Sequence, residues 1–218
     1  MAVVSKWSNV AVAIQSALGV AKTITAITKG SPSTSPQPLV SSTAHGFSTG
    51  DYVLLTVQGM FQLDSRVFRV SSASANSFEL EGEDTSLYDT FSSGTAQLIT
   101  FGTTMTTATG LTAAGGDFDF IDITTIHDNI RKQVPGLASA ASYTFENLWD
   151  PSDAALIAMK LASDNQAQRA VRFTFSAGQK VLFNGYIGAT LLPTGTAQDK
   201  VITQTVVTMF GRPTIYNS

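Results

Sequence analysis

Residues 126–150, IHDNIRKQVPGLASAASYTFENLWD, bring together a histidine, several acids and bases, a Pro-Gly pair and a set of serines. His127 with Asp122, Asp128 and a nearby serine is the only triad-like group in the chain. A histidine base needs a nucleophile within hydrogen-bond reach and an acid to orient it. No Gly-x-Ser-x-Gly elbow is present to present that nucleophile. His127 also stands where a strand pattern gives way to a Pro-Gly loop, so an exposed, chemically idle histidine is the competing expectation. Asp117, Asp119 and Asp122 suggest a cation site, but Phe and Ile intervene where a calcium loop requires glycine-assisted spacing. They read instead as the acidic outer face of a strand. TAHGFSTGDYV (43–53) has two glycines but neither the spacing nor the lysine of a phosphate loop. The expected catalytic, cofactor and metal residues are therefore none.

Composition narrows the classes further. Hydrophobic residues make up 43% of the 218 residues and charged residues only 13%, with Ser, Thr, Ala and Gly filling the difference. So few charges suit a chain that buries its surface against copies of itself. The net charge of −3 comes without a basic patch, which argues against wrapping nucleic acid. There is no cysteine and there are two histidines, so thiolate metal sites and disulfides are excluded. The run from Val10 to Ala21 follows a single early lysine, Lys6. Ser8, Asn9, Gln15 and Ser16 fall in and around it, and it is too short and too polar to span a membrane. The expectation is a soluble chain made in the cytoplasm, with no membrane anchor.

The elements that must position these residues are mostly strands. WSNVAVAIQSALG fits helix or strand, the alternation of Val10, Val12 and Ile14 favouring strand, and KTITAIT follows with cleaner alternation. A Pro/Ser-rich connector occupies 30–38. YVLLTV, SRVFRV, ASANSFEL and TAQLITF read as short strands, with an acidic loop over 81–94. DFDFIDITTI alternates and then shifts phase past Ile121, which predicts a bulge or a slip between faces. Residues 126–142 read as a long loop, and SYTFENLW as a strand with Tyr143, Phe145 and Trp149 on one side. The one helix signal starts with Asp150 as N-cap and Pro151 at the first turn. Ala154, Ile157, Ala158 and Leu161 form its apolar stripe. Residues 170–188 read as a hairpin and 199–210 as a last long strand. The fold class is mainly β, with one flanking helix.

Two stretches resemble known families. His45–Gly46–Phe47, Gly50–Asp51, Gly59–Met60 and Asn76, Phe78, Leu80 resemble a small β-barrel-like module of bacteriophage virion proteins. That module is related to the first catalytic-cysteine half-domain insert of ubiquitin-activating enzymes, where it carries no catalytic residue. Ile121–Asp122, Thr124, Pro135–Gly136–Leu137 and Phe145, followed by one helix, a hairpin and a long strand, resemble the tail tube (major tail) proteins of long-tailed phages. The resemblance implies a tail-tube-type β-sandwich or barrel over 1–21 and 99–218, split by an inserted β module over 22–98 on the tube exterior. It implies hexameric rings stacked into a hollow tube. The partners would be copies of the chain, a tape-measure protein, a tail terminator and baseplate or tail-tip proteins, with phage DNA passing through unbound.

Under this reading the loop after β-patterned 118–125 makes ring-to-ring contacts through Ile130, Arg131, Lys132, Val134 and Leu137. A loop left permanently exposed should not present such apolar residues. Two other readings compete: a virion adhesion or carbohydrate-binding protein, and a hydrolase using His127. Adhesion needs exposed aromatics, for which 22–98 supplies only Phe47, Tyr52, Phe61, Tyr88 and Phe91.

Overall fold

A computed structural model describes residues 9–30 and 37–217. The first eight residues, and residues 31–36 of the Pro/Ser-rich connector, lie outside the described residues. The strands are β1 (Ala11–Leu18), β2 (Lys22–Ile24), β3 (Ala26–Thr28), β4 (Leu39–Ser41), β5 (Tyr52–Gln58), β6 (Val67–Ser71), β7 (Ser77–Leu80) and β8 (Ser93–Met105) in the first half. The second half holds β9 (Ala108–Ala114), β10 (Phe118–Asp122), β11 (Gln133–Ala138), β12 (Ser142–Leu148), the helix α1 (Ala154–Asp164), β13 (Gln168–Thr174), β14 (Lys180–Ala189), β15 (Ile202–Met209) and β16 (Thr214–Tyr216). The chain is mainly β, as expected, with one α-helix and no closed barrel among the described residues. That helix is too short to cross a membrane.

Strand order is β3-β4-β7-β6-β5-β8-β1-β13-β14-β15-β12-β9, with β2 on β8 and β16 on β14. β8 joins the two halves. Its first residues pair with β2 and β5, and its last pair with β1. Residues Ile24 to Ala96 bury one apolar cluster around Phe68, Phe78, Leu55 and Met60. A second cluster holds Val12, Ile14, Phe145, Met159, Phe173, Phe183 and Val207. Here Tyr143, Phe145, Phe173 and Phe183 meet at ring separations of 5.1–5.9 Å, the range in which aromatic pairs attract. Leu54 and Val67 of the first half pack with Ile99, Ala170, Leu182 and Tyr216 of the second. Arg172 lies over the rings of both Tyr52 and Phe101, and the Tyr216 hydroxyl accepts from the Arg69 amide at 2.7 Å. Burial holds the Tyr216 phenol above its usual pKa.

Strand β1 departs from simple alternation. Val12, Ala13, Ile14 and Gln15 are all buried, Val12 and Ile14 within the cluster of Phe145 and Phe173, and β8 and β13 pair both edges of the strand. Gln15 is satisfied by accepting the Ala170 amide at 2.9 Å, beside a register shift against β8.

The helix begins one turn later than the sequence suggests. Asp153, not Asp150, is the N-cap, and its carboxylate accepts from the amides of Ala155 and Leu156, both at 2.9 Å. Asp150 instead accepts from the Ser152 amide and hydroxyl, and these bonds lower its pKa. Pro151 therefore sits in the turn before the helix. The buried face is Ala155, Leu156, Met159 and Ala162, while Ile157 and Leu161 face outward. Asp153→Ala is expected to cost about 1 kcal/mol, lowering the melting temperature by roughly 2–4 °C in a chain of this size. Asp150→Ala should shift it less. Thermal unfolding followed by circular dichroism checks the ranking, and equal shifts would refute it.

Candidate assembly interface

Between β9 and β12 the chain leaves the main sheet and returns as a separate two-stranded arm. The exit is fixed by Gly115 and Gly116, at φ +82° and +89°. A Cβ on Gly115 would lie 2.3 Å from the Ala140 carbonyl oxygen, so no side chain fits there. Ser139 closes the base, its amide donating to the Asp117 carbonyl at 2.8 Å. β10 and β11 then pair antiparallel, with the register slipping between Phe118 and Phe120. The irregularity anticipated past Ile121 thus falls slightly earlier. Residues 126–142, expected to be loop throughout, contain β11 over Gln133–Ala138. Pro135 is tolerated because the arm has no further strand needing its amide.

Every residue of β10 is exposed. Ile126 is 96%, Leu137 87% and Ile130 78% exposed, and Phe118, Phe120, Ile121, Ile123 and Val134 are also open to solvent. An isolated two-stranded hairpin is marginal in water, and this one carries its apolar groups uncovered.

The arm's two cations are paired within it. Arg131 Nε donates to Asp122 at 2.8 Å, and Lys132 pairs with Asp128. Asp128 also accepts from the Thr125 amide and hydroxyl, both at 3.0 Å, which closes the tip. The Thr124 hydroxyl and amide, then Arg131, hold the Asp122 carboxyl below its usual pKa. Lys132, then Thr125, do the same for Asp128. Both groups have folded values below their unfolded ones, so their contribution to tip order is present above the unfolded value and is lost as pH falls through the folded one. Amides of the tip are therefore expected to lose exchange protection on acidification below the ordinary aspartate value of about 3.9. Protection that stays constant through that window would contradict this.

These bonds decide the fate of the triad-like group. Asp122 and Asp128 are engaged by the arm's own cations and threonines, and His127 is exposed at the tip. No group of three or more His, Asp and Glu converges to hold a metal among the described residues. The other histidine, which sequence reasoning did not single out for chemistry, is structural. His45 is buried and accepts the Phe47 amide on Nδ1 at 2.9 Å, which leaves the Nε2 proton to point at the Ser77 carbonyl at 3.3 Å. Its ring packs against Phe47 and Phe78.

Two further surfaces lack cover. β9 ends the main sheet with its outer edge unpaired among the described residues, and it carries neither charge nor proline. Beside it a cavity of about 220 Å³, open to solvent, is lined by Val10, Val12, Ala108, Thr109, Leu111 and Phe145. Sequence reasoning missed this site, because its lining comes from three strands distant in sequence.

An uncharged edge strand, an arm that exposes apolar side chains and an open pocket are features by which chains associate. A family model described as phage tail tube protein, TTP, matches residues 58–218. The chain belongs to the phage tail tube protein family. It is accordingly a structural protein of the virion tail that assembles into the tube with other tail proteins, and not an enzyme. No curated protein matches the chain.

Proposed function

We infer that copies of this chain form hexameric rings that stack into a hollow tube, and that phage DNA passes through it into the host cell. The tube is laid down along a tape-measure protein, capped by a tail terminator and joined to baseplate or tail-tip proteins, after synthesis in the host cytoplasm. The observation that supports this reading is the arm, an extended hairpin with no cover of its own. Ile130, Arg131, Lys132, Val134 and Leu137 lie on it or at its tip, and their role is contact with the adjacent ring. A net charge of −3 suits a channel to which DNA must not adhere.

Residues 22–98 form a module on the tube exterior, supported by their own apolar cluster. The adhesion reading gains nothing from this module, since Phe47 is buried and Tyr52, Tyr88 and Phe91 are at least half-covered, leaving Phe61 as its exposed aromatic. Negative-stain microscopy of the purified, concentrated protein tests the function. Tubes or six-fold rings are expected, and a chain that stays monomeric at every concentration would refute it.

A further inference from the structure

We propose that Phe118 and Phe120 on the arm of one copy seat in the pocket beside β9 of a neighbouring copy, making a head-to-tail contact that propagates the assembly. The inference rests on the tube-forming reading and adds the residues on both sides of one contact. Phe118 and Phe120 lie two apart on β10 and project from one face of the arm, because the extra residue at the slip between them belongs to β11. They are 53% and 61% exposed, so neither occupies the pocket of its own chain.

The placement of the two features explains why. The pocket lies at the start of β9, by Ala108–Leu111, whereas the arm leaves from its end, after Ala114. Three residues of strand, about 10 Å at 3.3 Å per residue, separate Leu111 from Ala114, and the pocket's far wall at Ala108 lies about 20 Å away. Knob and pocket thus stand at opposite ends of one strand pair. A contact joining two different patches of the same chain repeats from copy to copy and does not close on a pair.

The two sides match in size and in character. An apolar cavity of roughly 150 Å³ is enough to take up benzene; this one measures about 220 Å³ and is open to solvent, so one ring fills it and the second lies across its mouth. Its lining includes no charged side chain. The arm's own cations are held by Asp122 and Asp128, and strand alternation turns Asp119, which stands between the two rings, to the face opposite them. The occupant is a second copy of the chain, because the family assembles as a tube of this protein.

The chain has no cysteine, which allows a direct test. Ala138→Cys places a thiol on the arm opposite Phe118 and leaves both rings in place. Thr109→Cys places one at the pocket rim, and Val10→Cys is the alternative if Thr109→Cys disturbs folding. The two single-cysteine proteins are mixed, concentrated and treated with a short bis-maleimide. A covalent dimer containing one copy of each is expected, with none from Thr109→Cys alone. Adding Phe118→Ser and Phe120→Ser to Ala138→Cys should abolish that dimer and abolish tubes, while circular dichroism shows an unchanged fold.

Tubes that form without the cross-link would overturn the proposal, because the tube would then be built with the arm outside the pocket. A cross-link that survives loss of both rings would overturn it too. Failure of the unmodified chain to make tubes or rings would instead count against the tube-forming reading, and the mixed dimer would still report on the arm and pocket.

Discussion

Glu83→Ala lowers the unfolding free energy by about 3–5 kcal/mol, the usual result of stripping one partner from a buried ion pair. Arg66 and Glu83 are among the best-covered charges of the chain, with side chains 8% and 11% exposed. Arg66 donates to both carboxylate oxygens, at 2.5 and 3.0 Å, and to the Gln62 carbonyl at 2.9 Å. The Tyr88 hydroxyl donates to the same carboxylate at 2.5 Å, and burial, with that carboxylate adjacent, raises the phenol's pKa. Removing the carboxylate leaves a largely covered guanidinium and a partly covered hydroxyl without their acceptor. Replacing both members, Arg66→Met with Glu83→Leu, should recover most of the loss, because well-packed apolar residues often match a buried pair. Urea denaturation of the single and double variants measures this, and a single variant as stable as the parent would refute the account.

The same pair bears on how separable residues 22–98 are. Arg66 also reaches Thr214 Oγ1 at 3.4 Å, and Arg69 lies over the Tyr216 ring. Excising 22–98 would uncover β16 and remove Leu54 and Val67 from beside Ile99, Ala170 and Leu182. Burying such a side chain is worth about 1.5–3 kcal/mol. A version lacking these residues is therefore expected to assemble only if Ile99, Leu182 and Tyr216 are made polar or otherwise covered.

Much of this architecture was legible from period alone. The alternation in RAVRFTFS and KVLFNGYIG marks the β13–β14 hairpin, and Asp-rich, proline-marked 150–153 announces the helix. The phase of that helix was not legible. AALIAMKLAS is apolar nearly all round, so several stripes satisfy the helical period, and only packing against the sheet selects Ala155, Leu156, Met159 and Ala162. Its start was ambiguous because Asp150 and Asp153 are both good caps. Asp150 is drawn to Ser152 while Asp153 remains free to meet the first amides.

Strand pairing is the larger gap. Nothing in FDFIDITTI says that β10 pairs only with β11 and not with the main sheet. That follows from Gly115, whose φ and contact with Ala140 turn the chain away. The pocket was invisible for a related reason, since its walls meet only through pairings distant in sequence.

Replacing Ile130, Val134 and Leu137 together by Ser is expected to give a folded monomer that forms no tubes. The three residues contribute nothing to either large core, and Ile130 and Leu137 are 78% and 87% exposed. Their loss should therefore leave the melting temperature of the isolated chain nearly unchanged, as surface substitutions do within about 0.5 kcal/mol. Assembly responds differently. Each apolar side chain covered by a neighbour contributes about 1.5–3 kcal/mol, and in a ring the same loss recurs at every subunit. The arm must also be ordered against its neighbour, an entropic cost that the remaining contacts would no longer offset. Separating Arg131 and Lys132 from this effect requires a second variant, Arg131→Gln with Lys132→Gln. It frees Asp122 and Asp128, and should weaken tubes in a salt-dependent way without abolishing them, since exposed pairs contribute little. Sedimentation velocity and negative-stain images of both variants beside the parent decide the matter. Normal tubes from the triple serine variant would remove the arm from the ring-to-ring contact.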